Sequence, residues 1–198
     1  QSVAPRVEYA SGLDGPDPRC VVSIIGCTGD WTGGWDNTEP TGVDAFISQD
    51  LQKGRMVDVI QRGEPALMLA HWTGIHWNGQ ERGFKIFQEV VRRLHARFDN
   101  LIWMKLSEVS RYWAAKELTR IERKDDRLEL HAPFATSLFT LKFSLANGRV
   151  PRLSRDGSTV PLQEVTASSK LANGTWLRTG EEVIGCFELS KGSSALLL

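Results

Sequence analysis

The chain has 198 residues, enough to bury one large core or two small ones. Its 24 Lys and Arg are interspersed with 24 Asp and Glu, so no basic stripe points to nucleic acid or to an anionic membrane surface. No apolar stretch approaches the roughly 20 residues of a membrane-spanning helix. The odd set Cys20, Cys27 and Cys186 argues against a disulfide scaffold.

The chain opens on Gln, without Met or a charged-then-apolar leader, and so reads as processed or excised from a longer precursor. Residues 1–19, with Pro5, Pro16 and Pro18, suit an irregular lead-in. Residues 20–25 form a nearly continuous apolar run, the pattern of a strand covered on both faces. If Cys20 and Cys27 flank that strand they stand about 20 Å apart, beyond disulfide reach, which predicts free thiols. A glycine-rich loop follows over residues 26–36, carrying Asp30, Trp31, Trp35 and Asp36.

A helix is expected over residues 54–62, with Met56, Val57 and Ile60 on one side and Gly63 as its stop. Pro65 introduces a strand over 66–70, which ends abruptly at His71-Trp72-Thr73-Gly74-Ile75-His76-Trp77. Phe84, Phe87, Val91, Leu94 and Phe98 recur at steps of three and four and predict a helix over 83–98. Residues 100–104 read as another short strand. Ser107 can cap a helix in which Val109, Tyr112 and Trp113 face inward.

This alternation has the rhythm of an α/β parallel sheet. From about residue 119 the texture changes to alternating runs at 127–131, 137–143 and 183–189, punctuated by Asn147-Gly148, Asp156-Gly157 and Asn173-Gly174. The expected architecture is α/β followed by all-β. It comprises the last strands and helices of a (β/α) barrel over residues 1–118 and a C-terminal antiparallel β-sandwich over 119–198.

An apolar strand that stops at His and Trp delivers polar and aromatic groups to a pocket rim. His71 is the candidate general acid or base, since a neutral imidazole can protonate a leaving group near neutral pH; as a strand-end histidine it could equally be hydrogen-bonded in a core. Trp31, Trp35, Trp72 and Trp77 suit a platform, because pyranose CH groups stack on aromatic rings. Asp30 and Asp36 would hydrogen-bond sugar hydroxyls from the same rim, and His76 counts with Asp30 and the tryptophans as a substrate-binding residue. The same tryptophans could instead fill the gap between barrel and sandwich. A metal held by His71 and His76 would need further ligands, for which Asp30 or Asp36 could serve.

Residues 56–60, 66–77, the helix at 83, Ile102-Trp103-Met104 and Leu106-Ser107-Glu108-Val109-Ser110-Arg111-Tyr112-Trp113 together resemble the C-terminal part of barrel proteins in the polysaccharide deacetylase superfamily. The resemblance covers about residues 20–118. It implies an incomplete (β/α) barrel that uses a divalent metal, zinc above all, to remove acetyl groups from amino sugars, with His71 matching the late-strand histidine that assists catalysis. The family's early-strand aspartate and His-x-x-x-His ligands have no counterpart here, and three strands are fewer than the roughly eight of a closed barrel.

The expectation is therefore a fragment with no metal of its own, little deacetylase activity alone, and a glycan and the remaining N-terminal part as partners. A sugar-polymer substrate would imply export. The alternatives are a noncatalytic carbohydrate-binding or structural module, and a glycoside hydrolase fragment built on Asp30 and Asp36.

Overall fold

The computed structural model describes residues 2–26, 42–180 and 182–198. In chain order its elements are strands β1 (Arg6–Ser11) and β2 (Arg19–Ser23), then helices α1 (Arg55–Gln61), α2 (Trp72–His76), α3 (Arg82–Arg97) and α4 (Leu106–Leu118). Nine strands follow: β3 (Arg120–Lys124), β4 (Arg127–Ala132), β5 (Thr136–Ser144), β6 (Arg152–Arg155), β7 (Ser158–Pro161), β8 (Gln163–Val165), β9 (Thr175–Thr179), β10 (Glu182–Leu189) and β11 (Gly192–Leu197). The chain forms two compact units, one of residues up to Arg6 with Ser23–Leu101, the other of Val7–Val22 with Ile102–Leu198.

In the first unit, Phe46 and Ile47 pack with Met56, Val57 and Val59 of α1 and with Val90 and Leu94 of α3. The inward stripe of α3 runs Gly83, Val90, Leu94, with Ile86 and Phe87 half-buried, while Phe84 is 44 % exposed. That stripe lies one step round the helix from the Phe84 to Phe98 register, because the residues of α1 and the 46–47 segment fix which side is covered. Arg93 ties α3 down by donating to Asp44 Oδ1 (2.6 Å) and to the Ile47 carbonyl (2.9 Å).

In the second unit, β5-β10-β9-β8 form one sheet, β3-β4-β11-β6-β7 another, and β1-β2 a third of two strands. Leu128, Leu130, Ala132 and Leu196 of the five-stranded sheet share a core with Phe139, Phe143, Trp176, Val183, Phe187 and Leu189 of the four-stranded one. Helix α4 buries Val109, Trp113, Ala114 and Ala115, and Tyr112 lies 6.4 Å from Phe139 on β5. Its first turn is closed by Glu108, whose carboxylate accepts the Lys105 N–H at 2.6 Å, so the cap is not Ser107.

The expected (β/α) barrel does not form. Among the described residues the protein is mostly β, with four short helices and three sheets, and no barrel is evident. Segment 20–25 contributes to β2, which pairs with β1 at the margin and leaves Val21 56 % exposed instead of covered on both faces. Among the described residues, 66–70 contribute an isolated bridge at Leu69 and no strand, and 100–104 form no strand; Ile102 and Trp103 are 60 % and 55 % exposed. Apolar runs of this length specify burial but not the partner, and a strand exists only with a ladder to join. The wholly antiparallel sandwich is corrected as well, because β8 runs parallel to β9.

Candidate functional site

Helix α2 builds the first candidate surface. His71 is its N-cap residue, in extended conformation, and its carbonyl accepts the N–H groups of Gly74 and Ile75, both at 3.1 Å. The imidazole is half-buried at the start of the helix. One turn separates Trp72 from His76, and i,i+4 neighbours share a helix face. Their rings lie parallel, 5° apart in plane with centroids 5.7 Å apart, and Trp72 is 77 % exposed.

Trp77 ends α2 in the left-handed region (φ 39°), followed by Asn78 at φ 52° and Gly79 at φ 82°. A bulky aromatic residue there is uncommon. Hydrogen bonds from Trp77 N–H to Thr73 (2.8 Å) and from Glu81 N–H to His76 (2.8 Å) hold the turn. The Arg82 guanidinium sits 5.6 Å from the Trp77 ring, a cation–π contact that orients the half-buried indole.

The structure therefore brings Trp72 and His76 together as one stacked pair, with His71 and Trp77 at the two ends of the same short helix. Asp30, Trp31, Trp35 and Asp36 lie outside the described residues, as does Cys27. Among the described residues no three His, Cys, Asp or Glu side chains converge as a divalent-metal site. Cys20 and Cys186 are free thiols, both raised in pKa by burial.

The second candidate surface is the outer face of the five-stranded sheet, which the sequence reading did not single out. Register sets it out in rows. Arg120, His131 and Ser193 face one another across β3, β4 and β11; Glu122, Glu129, Ala195 and Ser154 form the next row, continuing onto β6. Lys124 and Arg127 flank the acidic row on its other side and both reach Glu129, at 2.6 Å and 2.7 Å. Lys124 holds the Glu129 carboxyl below its ordinary pKa, and Glu129 raises that of Lys124.

These residues, Lys124 apart, line a groove of about 650 Å³ together with Arg155 and Asp156. The β1–β2 turn meets the Arg120–His131 row. Asp14 on that turn pairs with Arg120 at 2.5 Å and stands 3.5 Å from His131 Nε2, while His131 Nδ1 and Ser193 Oγ are 3.2 Å apart. Ser, His and Asp in a line resemble a nucleophile relay, but the geometry is that of a polar wall. The Asp14 carboxylate is committed to Arg120, its distance to the imidazole is too long for a strong hydrogen bond, and Ser193 sits in regular strand register rather than on a strained turn.

The sequence signal for this face is the alternation Arg127-Leu128-Glu129-Leu130-His131, whose even positions are buried and odd positions point outward. Among the described residues no helix is long and apolar enough to cross a membrane. Comparison of the chain with family models, with characterised proteins and with solved structures found no match to any of them.

Proposed function

We propose that the protein binds carbohydrate through the aromatic rim of helix α2, as a binding module rather than a self-sufficient catalyst. The observation that carries this reading is the Trp72 ring, 77 % exposed and held parallel to His76. Large apolar rings are normally covered, and an indole left open to solvent yet fixed in orientation by a neighbouring ring offers a flat surface of the kind pyranose CH groups stack on. Preorganisation matters here, because a ring already held loses less freedom on binding. His71 and His76 add ring nitrogens at the platform's edge that can exchange hydrogen bonds with sugar hydroxyls.

Among the described residues, the geometry that supports binding is that of a platform. Isothermal titration of the 198-residue chain with chitotetraose and cellotetraose tests it. Trp72→Ala is expected to weaken binding at least about tenfold, equivalent to about 1.4 kcal/mol, whereas Trp72→Phe retains most of it. Equal affinity in wild type and Trp72→Ala would overturn the platform.

A further inference from the structure

We infer that the groove on the outer face of the five-stranded sheet is a second saccharide-binding site, specific for a neutral oligosaccharide. It shares the ligand class of the carbohydrate reading but stands on different residues in the other compact unit, so the two can fail separately.

The floor of the groove is small. Ser193 and Ala195 on β11 and Ser154 on β6 are neighbours on the outward face, and none rises more than one heavy atom beyond Cβ. Most of the long side chains stand on β3 and β4, with Arg155 at the end of β6. A trough with a flat floor and a volume of about 650 Å³ lies within the range that small ligands occupy.

Charge selects the occupant. The walls present three guanidinium groups, Arg120, Arg127 and Arg155, against three carboxylates, Glu122, Glu129 and Asp156. The closest of these charges are already paired: Glu129 with Arg127 and Lys124, and Arg120 with Asp14. An anionic ligand at Arg120 or a cationic one at Glu129 would compete with these surface pairs. A neutral polyol need not. Each carboxylate keeps lone pairs that accept from vicinal hydroxyls, each guanidinium keeps N–H groups that donate to hydroxyl or ring oxygens, and the serine hydroxyls do both. Sugar hydroxyls are themselves donors and acceptors, so a balanced, mixed wall suits them better than a single-sign one. With no Trp, Tyr or Phe ring in the lining, binding rests on hydrogen bonds, and a dissociation constant on the order of 1 mM is expected.

The test is an amide chemical-shift titration of the 15N-labelled 198-residue chain with chitotetraose, cellotetraose and, as the anionic counterpart, tetragalacturonate. A neutral tetrasaccharide is expected to shift the amides of His131, Ser154 and Ser193, with little response to tetragalacturonate. Ala195→Trp, which fills the floor, is expected to abolish those shifts, and Trp72→Ala to leave them in place. Ser154→Gln serves the same purpose if Ala195→Trp loses its dispersed spectrum. Shifts confined to residues around Trp72, shifts with tetragalacturonate alone, or no shift with any sugar would each overturn the second site, whereas loss of the Trp72 response alone would overturn only the first.

Discussion

The Asn173 side-chain oxygen accepts the Leu138 backbone N–H at 2.8 Å, 35 residues away in sequence. Leu138 needs that support. Phe139 pairs with Phe187 and Thr136 with Leu189, so β5 carries one more residue than β10 at this point, and Leu138 takes a left-handed φ of 55° inside the bulge. Such a conformation disfavours a branched side chain and persists where surrounding bonds over-determine it. Asn173→Ala is expected to destabilise the protein by about 1 kcal/mol, the ordinary net worth of one hydrogen bond. Asn173→Asp keeps the acceptor and should recover most of the loss; denaturant unfolding of both variants checks the pair.

Gly54 is required for a different reason. Its φ is +123°, and a Cβ there would lie 2.4 Å from the Phe46 carbonyl oxygen and 2.7 Å from the Ile47 nitrogen. That carbonyl also accepts the Met56 N–H at 3.0 Å, and both Phe46 and Ile47 are buried, so the backbone has nowhere to retreat. Gly54→Ala is expected to cost more than about 2 kcal/mol, combining backbone strain with a steric clash. Gly63, at φ +69° with no atom within 4 Å of its would-be Cβ, isolates the strain alone, and Gly63→Ala should cost only about 1 kcal/mol. Thermal melts of the two variants separate clash from strain: equal losses would mean that the Phe46 contact yields.

Local signals carried α1, α3 and α4 well, whereas residues 72–76 read as the loop after a strand and form α2. Gly63 ends α1 one residue after its C-cap, and Met56 and Val57 face the core as their spacing implies. Turn chemistry was equally plain: Asp156 and Gly157 both take positive φ between paired Arg155 and Ser158, the geometry of a two-residue hairpin. The barrel expectation fails because the α/β alternation behind it took short apolar runs for strands. Ile102, Trp103 and Met104 look like a buried strand as letters, yet side-chain hydrophobicity says nothing about which backbone supplies the ladder. On α3 the ambiguity was rotational, since Phe87 and Leu94 belong to both possible stripes and only the packing against Val57 and Ile47 decides between Phe84 and Gly83.

The candidate site divides along the same line. Trp72 and His76 are four residues apart, and a helix converts that spacing into a stacked pair, so their proximity follows once residues 72–76 are helical. The groove could not be read this way. Arg120, His131 and Ser193 become neighbours through strand register, and pairing across 73 residues of chain leaves no trace in any local window.

Glu64 makes acid stability a test of how the N-terminal segment is held. Its carboxylate accepts the Ser2 hydroxyl at 2.7 Å and the Val3 N–H at 3.0 Å, and Arg62 lies 3.2 Å away. These contacts, the Ser2 hydroxyl foremost, lower its pKa from 4.5 to about 2. A carboxyl whose pKa is lower in the folded state stabilises that state fully while both forms are ionised. As pH falls through 4.5 the unfolded chain takes up the proton first, so the contribution shrinks and is gone near pH 2. Glu89, held by Arg92 and Arg93, is lowered to about 2 in the same way, so one acid-sensitive contact remains when the other is removed. Glu64→Gln should therefore be less stable than wild type near neutral pH, and the gap should close progressively across the window from about pH 5 to about pH 2. Glu89→Gln should show the same convergence. Urea midpoints measured through that window decide the matter: a gap between Glu64→Gln and wild type that stays constant with pH would mean that the Ser2 and Val3 contacts do not depend on the ionised carboxylate.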